Sequence, residues 1–206
     1  MASEAARSAL LVDWGGVLTT NLFASFGAFC EEAGLAPDAL AQRFRGDHAF
    51  RDLLIAFEEG KIEEPAFEEG FGGLLGVPHA GLIDGLFARV GPDEAMLGAV
   101  RAARAAGIRT GLVSNSWGTR RYDRALLAEL FDGVVISGEV GIRKPAPEMY
   151  RLGAERAGVA PEACVYVDDL PFNLPPAAEL GMATVHHTDS AVTLPELERL
   201  LGVALG

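Results

Sequence analysis

Short apolar bursts punctuate the chain: Ala9-Leu10-Leu11-Val12, Gly133-Val134-Val135-Ile136 and Cys164-Val165-Tyr166-Val167, each bounded by Gly, Asp, Ser or Asn. Between them lie segments whose apolar positions recur at helical spacing. Bursts this short and this uniformly apolar read as parallel strands buried on both faces, joined by helical crossovers. The pattern predicts strands near 8–12, 109–113, 133–136, 164–167 and 183–186. Helices are expected near 93–106, 119–130, 146–158 and 173–180, with a short closing helix over 194–201. Met96, Val100 and Ala103 mark the buried face of the first, and Pro92 followed by Asp93-Glu94 suits its start. The expected class is α/β, with a doubly wound parallel sheet.

Residues 20–88 interrupt this rhythm. They read as several amphipathic helices with no strand, punctuated by glycines, and Phe50, Leu53, Leu54 and Phe57 fall on one helical face. The expectation is a core domain made of 1–19 and 89–206, with 20–88 inserted as an α-helical cap. An insert directly after the first strand stands over the carboxyl ends of the strands, where open α/β sheets bind ligands.

The chain has 206 residues, half of them hydrophobic, enough for one core and a modest insertion. No burst approaches the roughly 18 apolar residues of a membrane span, and the opening Met1-Ala2-Ser3-Glu4-Ala5-Ala6-Arg7 carries no apolar leader. Cys30 and Cys164 sit in helical and apolar contexts, so buried free thiols in a reducing, cytoplasmic setting are expected. Net charge is −12 and the 17 basic residues are dispersed, which argues against nucleic acid. An anionic substrate therefore needs a local basic pocket.

Four of the predicted strands end in polar residues. Asp13, followed by Trp14-Gly15-Gly16, is either a turn-capping carboxylate or a nucleophile and metal ligand presented by a tightly turning backbone. Ser114-Asn115-Ser116 offers donors for phosphoryl oxygens, or a helix cap. Lys144 precedes a proline-initiated helix, where an ammonium is either aimed at an anion or simply exposed. Asp168-Asp169 is the most informative: adjacent carboxylates at the end of an apolar strand call for a cation. Hard oxygen ligands suit magnesium.

In the order Asp13, Ser114, Lys144, Asp168-Asp169, with a helical insert between the first two, the chain resembles the haloacid dehalogenase superfamily of hydrolases, in its helical-cap, phosphatase-like branch. The resemblance runs from residue 8 to about 187 and implies a Rossmann-like core. It implies that Asp13 attacks phosphorus to give an aspartyl-phosphate, with Ser114 and Lys144 holding the transferring oxygens. Magnesium would be held by Asp13, the Gly15 carbonyl and Asp169. Asp168 would pair with Lys144, and Asn173 would support that pair. Asn115, Trp14 and Gly16 would line the substrate site. The implied partner is a small phosphorylated metabolite, and the protein would be a monomer or a homodimer with no membrane partner.

One position departs from the pattern. Phosphatases of this family usually carry a second Asp two residues after the nucleophile, and here that position is Gly15. Positioned acid–base groups typically contribute about 10²–10⁴-fold in rate, so hydrolysis of ordinary alkyl phosphates should be weakened. Acyl phosphates and aryl phosphates with acidic phenols depart without a proton and suffer less. Two alternatives follow: a binding or regulatory protein that turns over poorly, and a 2-haloacid dehalogenase, which also lacks that Asp. In the cap, Arg43, Arg45, His48 and Arg51 are either ligands for a substrate anion or exposed helix charges. Trp14 and Trp117 either line the pocket or fill the cap interface, and His186-His187 are expected to be strand-end or loop residues rather than a zinc site.

Overall fold

In the computed structural model, which describes residues 7–206, five parallel strands alternate with helices. The chain runs β1 (Ala9–Val12), α1 (Leu22–Glu32), α2 (Ala39–Gly46), α3 (His48–Glu58), α4 (Glu64–Leu75), α5 (Leu82–Phe87), α6 (Glu94–Ala105) and β2 (Arg109–Ser114). It continues through α7 (Arg124–Leu130), β3 (Gly133–Ile136), the single turn α8 (Ser137–Val140), α9 (Pro147–Ala157) and β4 (Cys164–Asp168). It closes with α10 (Leu174–Glu179), β5 (Ala183–His186) and α11 (Ser190–Leu201). Residues 1–6, part of the stretch read above for a leader, lie outside the described residues.

The sheet order is β3-β2-β1-β4-β5. The chain therefore builds outward from β1 and then returns to its other side, which places the topological switch between β1 and β4. Alternation along the strands feeds two cores. Leu10, Val12, Leu112, Val165 and Val167 pack under α6, α7 and α11, while Ala9, Leu11, Val113, Cys164 and Tyr166 pack under α9 and α10. Both faces of every central strand are thus dry, as the uniform apolar bursts imply. Cys30 and Cys164 are free and buried. Among the described residues no helix is long and apolar enough to cross a membrane.

Three helix boundaries differ from expectation. The segment 119–130 is not one helix: a turn at Thr119–Arg121 gives way to extended backbone at Tyr122, and α7 starts only after Asp123, whose carboxylate accepts from the Ala125 and Leu126 amides. The segment near 173–180 likewise opens with a tight turn at Pro171–Asn173. α11 begins at Ser190 rather than 194, capped by Asp189, and Pro195 is accommodated inside it. A proline normally marks a helix start, and here it hid an earlier one.

Helices α1 to α5 enclose an aromatic core of their own, in which Phe57 stacks on Phe67 with centroids 4.2 Å apart and Phe50 meets Phe71 at 4.1 Å. Trp117, from the loop after β2, reaches into it against Phe26, Phe67, Phe71 and Phe87. The chain leaves and rejoins the sheet domain side by side: the Thr20 amide donates to the Gly91 carbonyl (2.8 Å) and the Asp93 amide to that of Leu18 (3.0 Å). Ion pairs join the two parts as well: Glu64 of α4 receives Arg120 (2.7 Å) and Arg121 (2.8 Å), and Asp84 of α5 receives Arg121 (2.6 Å).

Those charges give a pH prediction. Hydrogen bonding from Arg120, then Arg121, outweighs burial and holds the Glu64 carboxyl down at about 2, against its ordinary 4.5. A depressed carboxyl stabilises the fold above its unfolded value, and the contribution fades as pH falls from about 4.5 towards 2. Glu64→Gln should lower the melting temperature at pH 7, and the gap from wild type should close across that acid interval and shrink in high salt, because Arg120 is exposed. A gap independent of pH would refute this account of Glu64.

Candidate active site

The carboxyl ends of β1 and β4 converge on one buried ammonium. Lys144 is fully buried and its Nζ donates to Asp168 Oδ2 (2.7 Å) and Asp13 Oδ1 (2.9 Å). Asp13 follows β1 directly, with its amide on the Val167 carbonyl of β4 (2.9 Å), so the sheet ladder itself fixes where its side chain starts. Asp168 is saturated: Oδ1 accepts from the Leu170 amide and the Asn173 side chain, while Oδ2 accepts from Lys144, Tyr166 and Asn173. Burial opposes the charge on Lys144, but the two carboxylates outweigh it and raise its affinity for the proton. For Asp168 burial is outweighed by Lys144 and the other donors, and its carboxyl is lowered.

Asp13 and Asp169 behave oppositely. Burial, relieved by Lys144 but reinforced by Asp168, pushes the Asp13 carboxyl up. Burial, then Asp13 and Asp168, pushes Asp169 up to about 7. Three carboxylates whose oxygens lie within 4.8 Å of one another thus face a single ammonium. That excess negative charge, an all-oxygen donor set, and the buried Asn173 Oδ1, which has no hydrogen-bond partner, fit a hydrated divalent cation. Asp169 and Asp13 could ligate it, with the Gly15 carbonyl and water completing the shell. Gly16 makes room for this: at φ 75°, a Cβ there would fall 2.4 Å from Asp169 Oδ2. Its amide is engaged by Thr19 Oγ1 (3.0 Å), so its part is to admit the carboxylate.

The other expected site residues divide. Ser114 ends β2 and shares a hydrogen bond with the Tyr122 hydroxyl (2.8 Å), whose ring meets Trp14 edge-on. Asn115 grips the Lys144 backbone, donating to its carbonyl (3.1 Å) and accepting from its amide (2.8 Å), so it serves the lysine first. A cleft of about 530 Å³ joins Asp13, Lys144 and Asp169 to the cap, and Arg45 and Arg51 line it. Arg43 and His48 do not: Arg43 pairs with Asp47 on the surface, and His48 Nδ1 accepts from the Arg51 guanidinium (2.9 Å). Trp14 lines a second cavity of about 450 Å³, and Trp117 borders both. His186 ends β5 and His187 bonds Thr193, as strand-end residues.

Sequence reasoning missed Tyr166, Tyr122 and Glu58. Tyr166 stands two residues before Asp168, on the same strand face, and that period was available to find it. Tyr122 carried no signal, because it reaches Ser114 across an irregular turn. Glu58, at the end of α3, lines the cleft and is buried; burial raises its carboxyl, partly offset by the ion pair with Arg143.

Residues 8–181 match the model of the haloacid dehalogenase-like hydrolases. The chain belongs to that family. Within it, the rat bifunctional epoxide hydrolase 2 is 34% identical over 53% of this chain, which spans only 21% of that relative. A sesquiterpene phosphatase of Aspergillus oryzae is 28% identical, with 71% of this chain and 78% of that one covered. A haloacid dehalogenase family enzyme of Bacteroides thetaiotaomicron, solved with magnesium and inorganic phosphate, shares the fold at TM-score 0.67 and 22% identity over 88% of this chain and 94% of that one. Whether the carboxylate cluster takes a divalent cation is testable without turnover. Magnesium at 100 times its dissociation constant should stabilise the fold by about 2.7 kcal/mol in thermal unfolding, and Asp169→Asn should abolish most of that gain. An equal shift in the variant would place the ion elsewhere.

Proposed function

We propose that this hydrolase is a magnesium-dependent phosphatase acting on small phosphorylated molecules through an aspartyl-phosphate on Asp13, with residues 20–88 as the cap. The observation that carries the reading is the Asp13–Lys144–Asp168 arrangement beside Asp169: a nucleophile, a fixed cation and a place for a second cation at the end of one cleft. Phosphatases among its relatives support it. Magnesium held by Asp13, Asp169 and the Gly15 carbonyl would supply positive charge against the phosphoryl oxygens. Asp13 would attack phosphorus, forming a new O–P bond as the bond to the leaving group breaks and its electron pair departs with the leaving oxygen. Water then displaces the carboxylate from phosphorus and gives its proton to the medium. Lys144 and the Ser114 hydroxyl would hold the remaining oxygens, so beyond the covalent bond from Asp13 the protein contributes placement and charge.

The space usually given to a second carboxylate is apolar here. A Cβ on Gly15 would lie 2.7 Å from Leu22 Cδ1, in the first turn of α1, and Leu22 and Gly15 border both cavities. A hydrocarbon partition thus stands where an acid would protonate the leaving group. We propose that acyl phosphates and acidic aryl phosphates are turned over in preference to alkyl phosphates for that reason.

Two measurements test this. Phosphate release from acetyl phosphate and 4-nitrophenyl phosphate should require magnesium, vanish with EDTA and fall at least 10³-fold in Asp13→Asn; release that the variant retains would defeat the proposal. The double change Gly15→Asp with Leu22→Ala should raise hydrolysis of an alkyl phosphate by about 10²-fold, the size of a positioned acid, while changing acetyl phosphate hydrolysis far less. Equal effects on both substrates would show that position 15 does not govern proton supply.

A further inference from the structure

The cleft above Asp13 has walls of a kind that small polar metabolites do not use. Phe23, Phe26, Phe44, Leu54, Ile55 and Phe172 face it, and two of them remain well exposed in the molecule, Phe23 at 47% and Phe172 at 57%. The polar groups among these walls are mostly spent on one another. Arg51 donates to the carbonyls of Phe44 (2.9 Å) and Arg45 (2.8 Å) and meets His48 (2.9 Å). Arg143 is paired with Glu58, Asn115 with the Lys144 backbone, and Asn173 with Asp168. The exposed Arg45 guanidinium makes no hydrogen bond or ion pair among the described residues.

Resting on the phosphatase reading, we infer that the substrate is a phosphorylated amphiphile: its phosphoryl group sits at Asp13 and Lys144, and its leaving group carries a hydrocarbon body of several carbons that lies along the apolar wall under the cap. Two physical arguments select it. A site discriminates for hydroxyls by offering them unsatisfied partners, and this wall offers few, so each hydroxyl of a sugar phosphate would surrender its water without replacement. Each methylene taken from water into the wall contributes about 0.8 kcal/mol, a factor of about four in affinity. Exposed phenylalanines at 23 and 172 extend that wall beyond the enclosed part of the cleft.

A homologous series of acyl phosphates, from acetyl to octanoyl, tests this while the departing group stays a carboxylate throughout. kcat/KM should climb about fourfold per methylene over the first several carbons and then level off. Phe23→Ser should reduce the ratio of octanoyl to acetyl phosphate turnover on the order of tenfold, and glucose 6-phosphate should be hydrolysed more slowly than hexyl phosphate. Calorimetric binding of methyl, hexyl and octyl phosphate to magnesium-loaded Asp13→Asn supplies a readout without turnover, and affinity should rise along that series too. Magnesium- and Asp13-dependent turnover with a flat chain-length profile would overturn the inference and leave the phosphatase reading intact. Affinity that rises with chain length in a protein without turnover would keep the ligand class and overturn hydrolysis. Flat profiles in both assays overturn the inference outright.

Discussion

The buried ammonium of Lys144 is the constraint on which the site depends. A lone charge removed from water would cost several kcal/mol, and this one is tolerable because Asp13 and Asp168 reach it at 2.9 and 2.7 Å from the ends of neighbouring strands. The dependence runs both ways. Lys144 draws the Asp13 carboxyl down against the burial that pushes it up, and Asp168 is held by a tyrosine, an asparagine and a backbone amide as well as by the ammonium. Neither carboxylate could be so placed without the switch in strand order, which sets β1 and β4 side by side with their carboxyl ends open.

That dependence explains which features were legible in the sequence. Strands buried on both faces must be apolar throughout, so their extents were readable nearly to the residue, and a polar residue closing such a strand is a candidate either for chemistry or for capping the turn that follows. Asp13, Ser114 and Asp168-Asp169 stood out for that reason. Lys144 was harder, because it lies in a loop; what marks it is the resemblance to a family, and its burial appears only when the loop is folded against Asn115. Tyr122 was concealed by local geometry: nothing in the run from 119 to 130 says that the helix breaks so that one phenol can meet Ser114. The cap charges were ambiguous for a similar reason, since Arg43 and Arg51 are alike in sequence and differ only in which way their helix faces.

The same division separates the two parts of the molecule. The sheet domain places charge with short, mutually saturated contacts, whereas the cap offers mainly rings and aliphatic chains. Trp117 joins them, because the loop that begins with Ser114 ends inside the cap's aromatic cluster. Helices α4 and α5 hold the same loop a second time, through the Glu64 and Asp84 contacts with Arg120 and Arg121.

Gly15 connects the chemistry to this division. With an acid at that position, the cleft would need a polar, hydrated corner beside Asp13. With glycine there, Leu22 fills the corner with hydrocarbon, and it lines the same cleft as Asp13 and the phenylalanines of α1 and α2. A site of that form gives up proton delivery and gains an apolar surface against which a leaving group can rest. The two properties suit one kind of reaction: transfer of a phosphoryl group from a departing oxygen acidic enough to leave as an anion, attached to a body that water holds poorly.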